Sequence, residues 1–187
     1  MTEVIINKGT GAGGSNTNAN GLPYETMTDL SDRYTIINVN TNIKNIRFNN
    51  SDKIYVTPIT KKRFLKMMSN ERDTDIGDAH GCKEPDEVYV DFINKIIFIV
   101  EKKFQNNSGS VCEKIQTPHF KKWHYERMFP SYNIVYIYCL SDWFKENCKT
   151  ELEYLEYLNI PLFWGNDSNY KDNIINFIIN YNPPNNS

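Results

Sequence analysis

The sequence predicts an α/β domain with a central mixed sheet flanked by helices, and three observations predict it. From Gln116 onward the patterns alternate helix, strand, helix, strand, helix, which builds a sheet with parallel members and helices on both sides. Residues 87–104 read as a β-hairpin, EVYVDF, then INK, then IIFIVEKKF, so antiparallel pairing enters the same sheet. The second of these strands is an unbroken apolar run ending in charges, the pattern of a central strand buried on both faces with a polar site at its end.

A chain of 187 residues fits one domain, since single cores grow to roughly 250 residues before splitting. With 40% apolar and 24% charged residues, the composition excludes a disordered chain. A net charge of −2 excludes a uniformly basic coat, so a nucleic-acid binder must gather its Lys and Arg on one face. No apolar run approaches the roughly 18 residues of a membrane span. Residues 1–21 are polar and lack a secretory core, so no membrane partner and a cytoplasmic, intracellular location are expected. Cys82, Cys112, Cys139 and Cys148 form no C-x-x-C pair, and reduced thiols are expected.

In chain order, residues 1–21 are expected to be a flexible Gly/Asn-rich arm. Gly9, Gly11 and Gly14 match G-x-G-x-x-G, but a dinucleotide loop needs an amphipathic helix at the third Gly. The Asn-rich continuation from Ser15 to Gly21 does not supply one. Residues 22–182 form the expected single domain, and 183–187 a disordered tail. Pro23 and Glu25 suit the first turn of a helix over 22–33. Short strands follow at 34–38, 45–48 and 53–57. A helix over 60–69 buries Phe64, Leu65, Met67 and Met68. After the hairpin, a helix over 110–128 is divided or kinked by Pro118. A buried strand over 133–140, a helix over 141–158, a short strand over 160–164 and a last helix with Ile174, Ile175, Ile178 and Ile179 on one face complete the pattern.

The chemistry concentrates where the hairpin ends. Strand side chains alternate, so Glu101 and Lys103 share one face and Lys102 takes the other. A turn at Ile93-Asn94 sets Asp86 opposite Glu101, whereas a turn at Asn94-Lys95 sets it opposite Lys103. Either register gathers two carboxylates and an ammonium into one patch. Such a patch is either a surface ion-pair cluster, which contributes little, or a divalent metal site. Two carboxylates plus waters suit Mg²⁺. Asp91 falls on the opposite face from Asp86 and is a poor ligand. His80, His119 and His124 lack metal-ligand spacing.

Pro85-Asp86, fourteen residues, and then Glu101-x-Lys103 at the end of a hydrophobic strand resembles the PD-(D/E)XK nuclease superfamily. The likeness covers about residues 22–140, and the size is similar to that of type II restriction endonucleases. The resemblance implies a restriction endonuclease-like core, Asp86 and Glu101 as Mg²⁺ ligands and Lys103 as the catalytic lysine. It also implies Glu25 as a further metal carboxylate, with Glu113 and Gln116 supporting the site. The activity it implies is sequence-specific cleavage of double-stranded DNA. A structure-specific junction or repair nuclease, or an inactive DNA-binding domain on the same fold, are the alternatives. Lys61, Lys62 and Arg63, together with Lys121 and Lys122, are candidate phosphate contacts. Asn16 and Asn18 are candidate base contacts. Two strands to cut and one site per chain predict a homodimer on a palindromic site, and a restriction role implies a protecting DNA methyltransferase as a genetic partner.

Overall fold

The computed structural model describes residues 15–106 and 112–183 of the chain. The protein is α/β, with one mixed sheet of seven strands in the order β1 to β7. Helix α1 spans Ser15–Met27, and strands β1 (Tyr34–Val39), β2 (Ile43–Phe48) and β3 (Tyr55–Pro58) follow as a meander. A 3-10 turn, Lys61–Arg63, leads into the short helix α2 (Phe64–Met67). Strands β4 (Glu87–Asp91) and β5 (Ile96–Lys103) form the expected hairpin. A 3-10 turn, Cys112–Ile115, and helix α3 (Pro118–Met128) then carry the chain to β6 (Asn133–Leu140), parallel to β5. Helices α4 (Trp143–Asn147) and α5 (Lys149–Tyr157) precede β7 (Leu162–Trp164), parallel to β6, and α6 (Tyr170–Asn180) closes the fold.

Strand alternation divides the core in two. Ile97 and Ile99 of β5 pack with Tyr136 and Tyr138 of β6 against Phe64, Tyr125, Met128 and Leu155, the face covered by α2, α3 and α5. Phe98 and Val100 pack with Ile137 and Cys139 against Tyr24, Tyr170, Ile174 and Ile178, the face covered by α1 and α6. Glu101 and Lys103 therefore emerge on the α3 side and Lys102 on the α1 side.

Of the two hairpin registers, the structure adopts the turn at Ile93-Asn94, with Asp91 paired to Ile96 and Glu87 to Val100. Asp91 explains the choice. Its Oδ1 accepts the backbone N–H groups of Ile93 (3.0 Å) and Asn94 (2.9 Å), and Lys95 turns the chain at φ 54°. The pairing stops at Glu87 and Val100, and Asp86, just before β4, reaches the β5 backbone at Lys102.

Three expectations are corrected. The first helix begins at Ser15 and ends at Met27, with Pro23 inside it, rather than spanning 22–33. An interior proline costs about 3 kcal/mol, and the Asn-rich turns are weak helix formers. Burial of Tyr24, 3% exposed and packed on Phe104, offsets this. The Thr28 hydroxyl then returns to the Tyr24 carbonyl (2.7 Å) as the helix stops. The flexible-arm expectation is thereby overturned for residues 15–21, which are helical; for residues 1–14 it lies outside the described residues, as does the tail at 184–187. The helix over 141–158 is two helices, broken at Cys148. The third correction is that Cys112 and Cys148 form a disulfide across 36 residues, rather than staying reduced; Cys82 and Cys139 are free and buried. Among the described residues, no helix is long and apolar enough to cross a membrane.

Helix α1 is seated by a close approach at Gly165. A Cβ there would collide with the Tyr24 hydroxyl and lie 2.6 Å from Thr28 Cγ2. Gly165→Ala is expected to destabilise the protein by about 1–3 kcal/mol through overpacking and to loosen α1. Urea denaturation, with proteolysis of the α1 segment, checks this.

His124 clamps the loop preceding the hairpin. It is buried, and its Nε2 accepts the Ala79 backbone N–H (3.1 Å), a role only the neutral ring can fill. Burial pushes its pKa below the ordinary 6.5. Below that value the unfolded chain binds the proton more readily than the folded one, so this contribution is complete above pH 6.5 and falls on acidification. Stability is expected to drop between pH 7.5 and pH 5.5, and the drop is expected to shrink in His124→Gln. Asp32 and Glu71, held low chiefly by hydrogen bonds from Lys171 and Lys95, lose their contributions only at more acid pH.

Candidate active site

Four elements converge at the end of the β4–β5 hairpin. Asp86, just before β4, accepts the Lys102 backbone N–H on Oδ2 (2.8 Å), which locks it to β5. Its Oδ1 accepts Lys61 Nζ (2.7 Å), and the same ammonium meets Glu25 Oε2 of α1 (2.5 Å). Glu101, 8% exposed, accepts Lys103 Nζ (2.6 Å) and Lys121 Nζ (2.9 Å) on one oxygen, Oε1. Three carboxylates and three ammonium groups drawn from α1, the turn after β3, the hairpin and α3 thus form two paired sets, Glu25 and Asp86 on Lys61, and Lys103 and Lys121 on Glu101.

The surroundings keep this charge concentrated. Tyr125, Tyr136 and Tyr138 lie beneath Glu101. Burial pushes all three phenols up, with the charge of Glu101 adding to it, so they stay protonated and supply no base. Burial opposes the charge of Lys61, yet its hydrogen bonds to Asp86 and Glu25 outweigh this and raise its pKa above the ordinary lysine value.

Lys102 faces away, as alternation requires, but it is not idle. Its side chain is 2% exposed, and Nζ bonds Glu87 Oε1 (2.5 Å) and the Glu25 carbonyl (3.1 Å). Glu87 also accepts the Tyr89 hydroxyl (2.7 Å), and burial pushes its carboxyl pKa up against the pull of Lys102. One residue therefore fixes Asp86 through its backbone and α1 through its side chain.

The sequence candidates are distributed as follows. Glu25 and Asp86 meet through Lys61, and Glu101 meets Lys103. Lys61 and Lys121, expected as phosphate contacts, are ion-paired with site carboxylates. Lys62 is exposed, Arg63 half-buried, and Lys122 lies 3.8 Å from Glu126. Glu113 is exposed. Gln116 donates to Glu151 of α5 (3.0 Å) and not to a site residue. Asn16 and Asn18 fall in α1, and their side chains lie outside the described ones. Asp91 shapes the turn. In α4 and α5, Phe144 and Leu155 are core, Trp143 and Leu152 pack against it, and Tyr157 is exposed.

Among the described residues, the one set of three His, Cys, Asp or Glu donor atoms within 4.8 Å of one another is Cys112, Cys148 and Glu151. Its two sulfurs are joined as a disulfide and are not thiolate ligands. Glu25, Asp86 and Glu101 are not drawn together that tightly, with lysines held against all three. Mg²⁺, however, needs only one or two carboxylates and completes its shell with water. Asp86, just before β4, and Glu101, in β5, are oxygen donors of that kind.

Fold and site together define an α/β protein with a carboxylate–lysine cluster at the end of its central hairpin. No family model, no curated protein and no solved structure matches the chain.

Proposed function

We propose that the protein is a Mg²⁺-dependent, sequence-specific endonuclease that hydrolyses phosphodiester bonds of double-stranded DNA. The observation that carries this reading is Asp86 bonded to the β5 backbone at Lys102, the residue after Glu101, with Lys103 bonded to Glu101. The order of hairpin, crossover helix α3 and parallel strand β6 supports a restriction endonuclease-like core.

Asp86 and Glu101 would hold the cation, with Glu25 a third carboxylate beside Asp86. A bound divalent cation supplies Lewis-acid charge and a water of lowered pKa. Lys103, held against Glu101, would supply an ammonium to the charge that develops on a phosphate. Lys121 holds Glu101 from α3, and the backbone N–H of Lys102 orients Asp86. The buried tyrosines close the floor of the site with apolar rings.

Incubation with plasmid DNA and Mg²⁺ tests the reading. Discrete fragments are expected. Cuts confined to branched substrates would make it a structure-specific nuclease, and binding without cleavage, even in Mn²⁺, would make it an inactive DNA-binding domain. A homodimer belongs to the proposal, since one cluster per chain must serve two strands. Mass measurement on a short cognate duplex is expected to give two chains, with affinity falling as salt rises. A one-chain complex that nicks a single strand would overturn the dimer.

A further inference from the structure

The lysines of the cluster are not equivalent. Lys103 and Lys121 both serve one oxygen of Glu101, whereas Lys61 alone bridges two carboxylates from different elements, Glu25 and Asp86. Lys61 also has room to leave. It stands on a short 3-10 turn with its side chain 40% exposed. One cleft of ≈ 200 Å³, lined by Asp29, Lys44, Thr60, Lys61 and Asp86, adjoins it. A second of ≈ 150 Å³, lined by Leu22, Glu25, Lys61 and Asp86, adjoins it as well. Lys102, by contrast, is 2% exposed and held by Glu87.

We propose that Lys61 is an exchangeable internal counter-ion: its ammonium neutralises Glu25 and Asp86 until a divalent cation binds at Asp86 and displaces it. This rests on the metal-dependent reading above. A lysine brings one charge to two carboxylates, and a divalent cation brings two. The exchange is therefore favourable at the carboxylates but must break two charge-assisted hydrogen bonds. The native lysine weakens cation binding by that amount, keeps Asp86 oriented beforehand, and turns into a cleft when released.

Calorimetric titration of the full chain with Ca²⁺ alone, without DNA, tests this. Lys61→Met and Lys61→Gln are each expected to bind Ca²⁺ roughly tenfold tighter or more, because the two competing bonds are gone. Lys61→Arg, which keeps the charge, should stay near wild type. Lys66→Met, which removes the same charge nearby on α2, should also stay near wild type. Adding Asp86→Asn to Lys61→Met should abolish the gain. Unchanged affinity in both Lys61→Met and Lys61→Gln would overturn the proposal, as would equal tightening in Lys66→Met, a gain that survives Asp86→Asn, or no Ca²⁺ binding in any variant. The nuclease reading fails separately: tighter Ca²⁺ binding with no DNA cleavage in Mg²⁺ leaves the exchange standing and removes the nuclease.

Discussion

Asp86→Ala and Glu101→Ala are each expected to lose cleavage of duplex DNA in Mg²⁺ by roughly 10³-fold or more while remaining folded. Several kcal/mol of charge stabilisation goes with a metal carboxylate, and each 1.36 kcal/mol is about a factor of ten in rate. Relief of carboxylate repulsion alone would leave stability unchanged or raised. The ion pairs reverse that expectation. Glu101→Ala strands Lys103 and Lys121, both largely buried, and should cost about 1–3 kcal/mol. Asp86→Ala should cost less, because Glu25 still pairs Lys61. Lys103→Ala should lose rate with little loss of stability, since Glu101 keeps Lys121. Single-turnover cleavage and urea denaturation on the same preparations separate the two effects. Wild-type rates in Asp86→Ala or Glu101→Ala would remove this cluster as the active site.

Lys102→Ala is expected to be the most destabilising change at the hairpin, at about 3–5 kcal/mol, because it leaves Glu87 buried without its cation. Facing away from Glu101 would by itself make this the mild lysine substitution, and its burial overturns that. The pH dependence gives an independent check. A carboxyl whose folded pKa lies above its unfolded value binds more protons in the folded state. In Lys102→Ala, stability should therefore recover as pH falls through the raised Glu87 pKa and decline as pH rises through it. Lys102→Met combined with Glu87→Gln should regain much of the loss, since no unpaired charge remains. A double-mutant cycle measures the coupling. Additive effects of the two substitutions would show that the pair does not act as a unit.

Side-chain alternation with period two was enough to set Glu101 and Lys103 on one face and Lys102 on the other. The unbroken IIFIV run was enough to make β5 central, and helix–strand alternation after Gln116 to make β6 and β7 parallel to it. These properties are local, because they follow from residue spacing along one element. The hairpin register was left open between two turns. A single side chain, Asp91 capping the turn through its carboxylate, decided it. Its contribution was hidden because the same residue type also serves as a ligand. The extent of α1 could not be read either, since burial of Tyr24 against β6 and Phe104, not helix propensity, carries the helix through Pro23.

What the chain's tertiary structure alone decided is which distant groups share charge. Lys61 and Lys121 lie in basic runs that read as phosphate contacts, and nothing in their spacing joins them to Glu25, Asp86 or Glu101. Only the packing of the turn after β3 and of α3 around the hairpin brings them within hydrogen-bond distance. The Cys112–Cys148 disulfide spans 36 residues for the same reason. The sequence by itself determined which side chains point which way along each strand, because backbone geometry repeats residue by residue. Partners across elements depend on where separate segments settle against a common core, and that is a property of the whole fold.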